Sequence, residues 1–254
     1  MAKIFCIANQ KGGVGKTTTT VNLAAGMAKL QQRVLLVDLD PQGNATMGVG
    51  IAKSTLQSSV YEVLLGLSDV KSARQKSESG HFDVLPANRE LAGAEVEMVD
   101  LENREARLKQ ALAQVNDEYD YILIDCPPAL SMLTLNGLCA ADGVVIPMQC
   151  EYYALEGLSD LVNTIKKVHA NLNRELKIIG LLRVMYDTRM MLSQQVSAQL
   201  EEHFGDKVFK TVIPRNVRLA EAPSYGIPGV CFDTTSKGAK AYIEFGQEML
   251  DWVK

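Results

Sequence analysis

The nine residues Gln10-Lys11-Gly12-Gly13-Val14-Gly15-Lys16-Thr17-Thr18 constrain this chain more tightly than any other stretch of it. A short apolar run, Ile4 to Ala8, leads straight into them, and behind Lys16 the residues Leu23, Met27 and Leu30 recur at helical spacing. The order is strand, glycine-rich turn, helix. A turn of this kind lets successive backbone N–H groups point at one spot, and the helix start adds its positive dipole end, so phosphate is the natural occupant. The stretch departs from the strict G-x-x-x-x-G-K-[ST] pattern, because Gln10 stands where the first glycine belongs. It also carries an extra cation, Lys11. Around a nucleotide held by the backbone of Gly12, Gly13, Val14 and Gly15, Lys16 is expected to reach the β and γ phosphates. Thr17 is expected to offer its hydroxyl to Mg²⁺ and Thr18 to donate to the α phosphate.

Two further strand ends bring carboxylates. Val34 to Val37 is a β-branched and leucine run that ends in Asp38 and Asp40, and Pro41 stops its extension. The two acids are not expected to share one role, because Asp38 lies within the strand whereas Asp40 lies beyond its last apolar residue, where Pro41 bends the chain. Asp40, beyond the last apolar residue, is the candidate for orienting or deprotonating an attacking water. Tyr121 to Ile124 is an apolar strand ending in Asp125, the Walker B arrangement that holds Mg²⁺. Other apolar runs at Phe82 to Leu85, Val144 to Pro147, Ile178 to Met185 and Val208 to Ile213 alternate with helical segments such as Leu155 to Val168. The predicted fold is therefore α/β and P-loop NTPase-like: a mainly parallel twisted sheet, helices on both faces, in a single domain spanning 1–254. Lys71 to Gly80, "KSARQKSESG", reads as a surface loop.

Composition mostly excludes. A net charge of −4 gives no global sign of nucleic acid, so any polyanion surface must be local. Five cysteines, odd in number and scattered through apolar runs, read as buried thiols, not as a disulfide framework or a metal site. The N-terminus is too poor in apolar residues for a signal peptide, and no apolar run is long enough to span a bilayer, which predicts a cytoplasmic protein.

"KGGVGKTT", "LLVDLDPQGNAT", "YILIDCPP" and "PRNVRLAEAPSYG" together resemble the ParA/Soj branch of the deviant Walker A ATPases, the bacterial chromosome and plasmid partitioning proteins. The resemblance runs from about Ile4 to Tyr242. It implies slow, partner-stimulated ATP hydrolysis by an ATP-dependent homodimer, in which each Lys11 crosses to the phosphates held by the other subunit. It further implies that Gly12 stays small where the two loops approach, and that Pro214 and Asn216 lie against the adenine. The implied partners are non-specific DNA and a ParB-type centromere-binding protein, and the implied location is the nucleoid. From Arg183 to Lys240 there are eight basic residues against six acidic ones, an excess too small to indicate DNA by itself. The resemblance assigns DNA contacts to Arg189 and Arg218, with Lys237 and Lys240 as further candidates.

Relatives with an N-terminal helix-turn-helix domain are set aside, because the nucleotide loop already begins at residue 11. The alternative is a MinD-like membrane-associated cell-division ATPase, which binds lipid through a basic amphipathic tail. Here Tyr242, Phe245, Met249 and Trp252 recur at helical spacing, but Glu244, Glu248 and Asp251 occupy the other side, so the segment is expected to dock on the core and not on a membrane. An iron–sulfur cluster at Cys126 lacks a glycine-flanked partner cysteine, and a metabolic ligase of the same superfamily would need a substrate pocket. His81, His169 and His203 have no metal-ligand spacing.

Overall fold

Eight strands form one sheet in the order β3-β4-β2-β5-β1-β6-β7-β8, and every neighbouring pair is parallel except β3 with β4. The strands are β1 (Lys3–Ile7), β2 (Val34–Asp38), β3 (Gln75–Ser77), β4 (Phe82–Leu85), β5 (Tyr121–Asp125), β6 (Gly143–Met148), β7 (Lys177–Tyr186) and β8 (Val208–Pro214). The computed structural model describes residues 1–152 and 154–253. Each apolar run predicted as a strand is one. β2 and β5 are buried along their whole length, because helices cover both faces of a parallel sheet. One core therefore lies on each side of the sheet. The first gathers Leu35, Val37, Ile122 and Ile124 with the helices on that face; the second gathers Phe5, Leu36, Leu123 and Val145 with Leu23, Met27, Tyr242 and Phe245.

Two details differ from the sequence reading. Lys71 to Gly80 is not a plain loop: it contains the end of helix Val70–Ala73 and the edge strand β3, antiparallel to β4. An edge strand pairs on one side only, so Gln75 and Lys76 stay exposed while Ser77 is buried, and the polar composition hides the strand. The C-terminal helix Lys237–Val253 packs on the core through Tyr242, Phe245 and Met249, but Trp252 stays 42% exposed beneath Lys207. Glu248 on its polar side accepts hydrogen bonds from the Lys210 and Thr211 amides of β8 (2.7 and 2.9 Å). Cys6, Cys126, Cys139 and Cys150 are buried, Cys231 is partly buried, and all five are free thiols, as the sequence predicts.

The topology fixes where a ligand can sit. From β1 the chain moves outward to β2 and β4, returns to β5 beside β1, and then builds β6, β7 and β8 on the other side. The carboxyl end of β1 is thus a topological switch point, where flanking connections diverge and leave a crevice.

Candidate nucleotide-binding site

The loop Gln10–Gly15 occupies that crevice and ends at helix Lys16–Lys29. Gly13 and Gly15 have φ of 73° and 74°, a left-handed conformation that strains any residue with a Cβ. No side chain caps this helix, and its first turn holds no acid, so its leading N–H groups have no side-chain acceptor. A 14-residue helix ending this way favours an anion at its N-terminus. Lys16 is buried, and its Nζ donates to the Lys11 carbonyl at 3.2 Å, closing the loop into a ring. Burial lowers the Lys16 pKa, and the charges of Asp125 and Asp40 oppose that shift.

The four threonines that open the helix diverge. The Thr20 hydroxyl lies within donating distance of the Lys16 carbonyl (3.0 Å) and of Asp125 Oδ1 (3.1 Å), while Thr19 meets the Tyr242 hydroxyl at 3.0 Å. Thr17 also hydrogen-bonds the Asp125 carboxyl, and Thr18 gives its carbonyl to Asn22 Nδ2 at 2.8 Å. Asp125 Oδ2 is buried and has no hydrogen-bond partner among the described residues. Asp38 lies opposite Asp125 on the neighbouring strand, and burial together with the Asp38 charge pushes the Asp125 carboxyl up to about 8. An orphaned carboxylate oxygen beside a threonine hydroxyl, starved of positive charge, fits a hard divalent cation. Thr17 and Asp125 are the residues that would hold Mg²⁺.

Asp38 and Asp40 have different surroundings because β2 ends at Asp38 and Asp40 belongs to the turn beyond it; alternation, which puts residues two apart on one face, does not separate them. Asp38 is fully buried and accepts from the Thr46 amide (2.9 Å), the Thr46 hydroxyl (2.7 Å) and the Asp40 amide (3.1 Å). The Thr46 hydroxyl in turn accepts from the Ala87 amide at 2.9 Å, tying β2 to the end of β4. Burial pushes the Asp38 carboxyl up to about 6, against these bonds. Asp40 is only half-buried, and its Oδ1 accepts from the Gln42 amide at 2.9 Å.

Pro214 and Asn216 lie in a cavity of about 140 Å³ that reaches back to Gly15 and Thr18 of the loop. Asn216 also caps the short helix Val217–Glu221 through the Leu219 amide. Val184 and Met185 line the same cavity and were not singled out from the sequence. Met185 carries φ of 50°, an uncommon conformation for a non-glycine residue, and its Sδ accepts from Gln149 Nε2 at 2.9 Å. Nothing in a sequence marks that strain. Lys11 is exposed, and its Nζ pairs with Glu151 at 2.6 Å. Gly12 is exposed, and a Cβ there would meet open space.

The basic candidates divide into two groups. Arg218 pairs with Glu221 (2.9 Å) and Asp233 (3.5 Å). A Cβ on Gly238 would strike Leu219, so Lys237 and Lys240 begin the last helix beside Arg218. Arg189, 87% exposed at its side chain, is clasped by Asp187, whose carboxyl it holds well below the usual range together with the charge of Arg215. Exposed Arg215, absent from the candidates above, lies beside Asp187 and hence near Arg189, its amide donating to the Tyr186 carbonyl at 3.3 Å. Arg183 leaves the surface altogether: it is buried against Ser197, Glu201 and the Phe209 carbonyl, so the exposed basic excess shrinks further.

A family model described as an AAA domain matches residues 2–178. The sporulation initiation inhibitor protein Soj of Bacillus subtilis is 54% identical, with 98% of each chain covered. The chromosome partitioning protein ParA of Myxococcus xanthus is 50% identical over 98% of this chain and 88% of that one. A crystal structure named cobyrinic acid a,c-diamide synthase, from Mycobacterium smegmatis with a bound ATP analogue and magnesium, superposes with a TM-score of 0.87. It is 39% identical, and 98% of this chain and 95% of that one are covered. With a phosphate loop at the switch point of a parallel sheet, and with relatives of this identity along nearly its whole length, the chain belongs to the ParA/Soj family of chromosome-partitioning ATPases.

Proposed function

We propose that this protein hydrolyses Mg²⁺-ATP, dimerises when ATP is bound, binds DNA without sequence preference in that state, and moves a chromosome or plasmid origin with a ParB-type centromere-binding partner on the nucleoid. The observation that carries the nucleotide part is the uncapped helix start at Lys16, ringed by Thr17, Asp40 and the orphaned Asp125 oxygen. In phosphoryl transfer the protein contributes mainly position and charge. Lys16 and the loop amides hold the phosphates, Asp40 orients the attacking water, and Asp38 fixes the strand end from which Asp40 projects. Thr17 and Asp125 would hold magnesium, which would supply positive charge against the phosphate oxygens.

The trans role of Lys11 is supported by its position. An exposed ion pair such as Lys11–Glu151 contributes only about 0.2–1 kcal/mol, so the lysine is released readily when a partner subunit offers a triphosphate. Lys11→Ala is expected to keep ATP binding in the monomer and to lose ATP-dependent dimerisation. Sedimentation velocity with ATP checks this, and a normal dimer would remove the trans role.

DNA binding by Arg189 and Arg218 rests on their exposure and on exposed Arg215 close to Arg189. Two such basic surfaces in a dimer add their phosphate contacts, converting weak attraction into useful affinity. Arg189→Ala and Arg218→Ala are each expected to leave dimerisation intact and to flatten the slope of log affinity against log salt by about two units per dimer. Lysine at either position should restore most of the binding, because a point charge suffices for a phosphate. An unaltered slope in both alanine variants places the DNA surface elsewhere.

The membrane-directed alternative would need the apolar residues of the last helix at a bilayer, yet Tyr242, Phe245 and Met249 are committed to the core. Among the described residues no helix is long and apolar enough to cross a membrane.

A further inference from the structure

We propose that helix Leu91–Glu97 and the turn behind it, Met98–Asp100, form a docking face for a cationic, amphipathic segment of a partner protein. The inference does not depend on how the nucleotide site works. Leu91, Ala94 and Met98 are fully buried and fasten this element to the core. The opposite side is left uncovered: Val96 is 75% exposed, Val99 is 52% exposed, and Ala92 lies exposed one turn earlier. At positions 92, 96 and 99 these residues share one stripe. A single exposed valine needs no explanation, but an apolar stripe on an element already anchored through its other side does.

The rim says what kind of surface covers it. Between Glu90 and Glu105 the chain places six carboxylates against one cation, Arg104. That arginine is already engaged by Glu105 at 3.3 Å and by the Val99 carbonyl at 2.8 Å. Glu97 is held by the Tyr61 hydroxyl at 2.9 Å, which keeps its charge beside the stripe. A field of this sign repels nucleic acid and anionic lipid and attracts a positively charged partner. The complementary occupant carries aliphatic side chains at helical spacing to cover Val96 and Val99, flanked by lysines or arginines that meet Glu95, Glu97, Asp100 and Glu102. Apolar anchors within a charged rim are the usual construction of a helix-in-groove contact.

The probe is a fluorescein-labelled synthetic peptide of about 16 residues, long enough for helix, with leucines at i, i+3, i+4 and i+7 and lysines elsewhere. One control keeps the leucines and replaces lysine by glutamate; a second keeps the lysines and replaces leucine by serine. Fluorescence anisotropy with the full chain is expected to show binding of the leucine–lysine peptide and at least about tenfold weaker binding of both controls. The double substitutions Val96→Ser with Val99→Ser, and Glu95→Lys with Asp100→Lys, are each expected to weaken it by about tenfold or more, with ATP affinity and Tm unchanged. Equal binding of the lysine–serine control, or unchanged affinity in both double variants, would overturn the proposal. So would loss of ATP-dependent self-association in the valine-to-serine variant by sedimentation, because a second copy of this chain would then be what covers the stripe.

Discussion

Lys16→Ala is expected to weaken ATP binding by at least about a hundredfold, as the loss of a desolvated charge partner costs about 2–5 kcal/mol. The side chain is buried, already lies under the loop through the Lys11 carbonyl, and is flanked by Asp125 and Asp40. Its removal deprives the phosphates of their buried cation. It also leaves Asp125 and Asp38 facing each other with less positive charge nearby, so the empty protein gains no better nucleotide site by relaxing. Lys11 does not substitute, because its side chain lies at the exposed surface and not beneath the loop as that of Lys16 does. Isothermal titration calorimetry with Mg²⁺-ATP checks the result, and an affinity equal to that of the parent would refute the site.

For Asp40→Ala the expected pattern is the reverse: ATP affinity stays close to that of the parent, while turnover falls by about 10²–10⁴, the usual contribution of a positioned acid or base. The phosphates remain held by the loop and Lys16, so the ATP-bound dimer forms and persists. Asp38 cannot take over, since its oxygens are committed to Thr46 and the Asp40 amide and it lies wholly in the interior. Half-buried Asp40 sits at the strand end, with one oxygen on the Gln42 amide. Single-turnover hydrolysis alongside a binding titration separates the two effects. Turnover within about threefold of the parent means that Asp40 does not act on the water.

The parts of this molecule that a sequence reveals are those governed by local pattern. β1, β2 and β5 are continuous apolar runs because both their faces are covered, and Gly13 and Gly15 announce the loop because their φ is positive. The site residues that remained hidden owe their roles to long-range neighbours. Thr20 matters through Asp125 and Met185 through Gly15, and each partner is more than a hundred residues away. Charge counts also misled where burial intervened. Arg183 counts as surface charge in the sequence, yet the fold spends it on Glu201 and the Phe209 carbonyl. β3 is invisible for the opposite reason, being an edge strand built of Gln75, Lys76 and Ser77 with one buried side chain among them.

The most direct measurement is the binding of a labelled duplex of arbitrary sequence, followed by anisotropy over a salt series with Mg²⁺-ATP, with Mg²⁺-ADP and without nucleotide. Affinity is expected to be high with ATP alone, to fall steeply and linearly on a log–log plot against salt, and to be indifferent to the sequence of the duplex. With ADP or no nucleotide the same protein should bind only weakly. Equal binding in all three states would contradict a DNA surface assembled by an ATP-gated dimer.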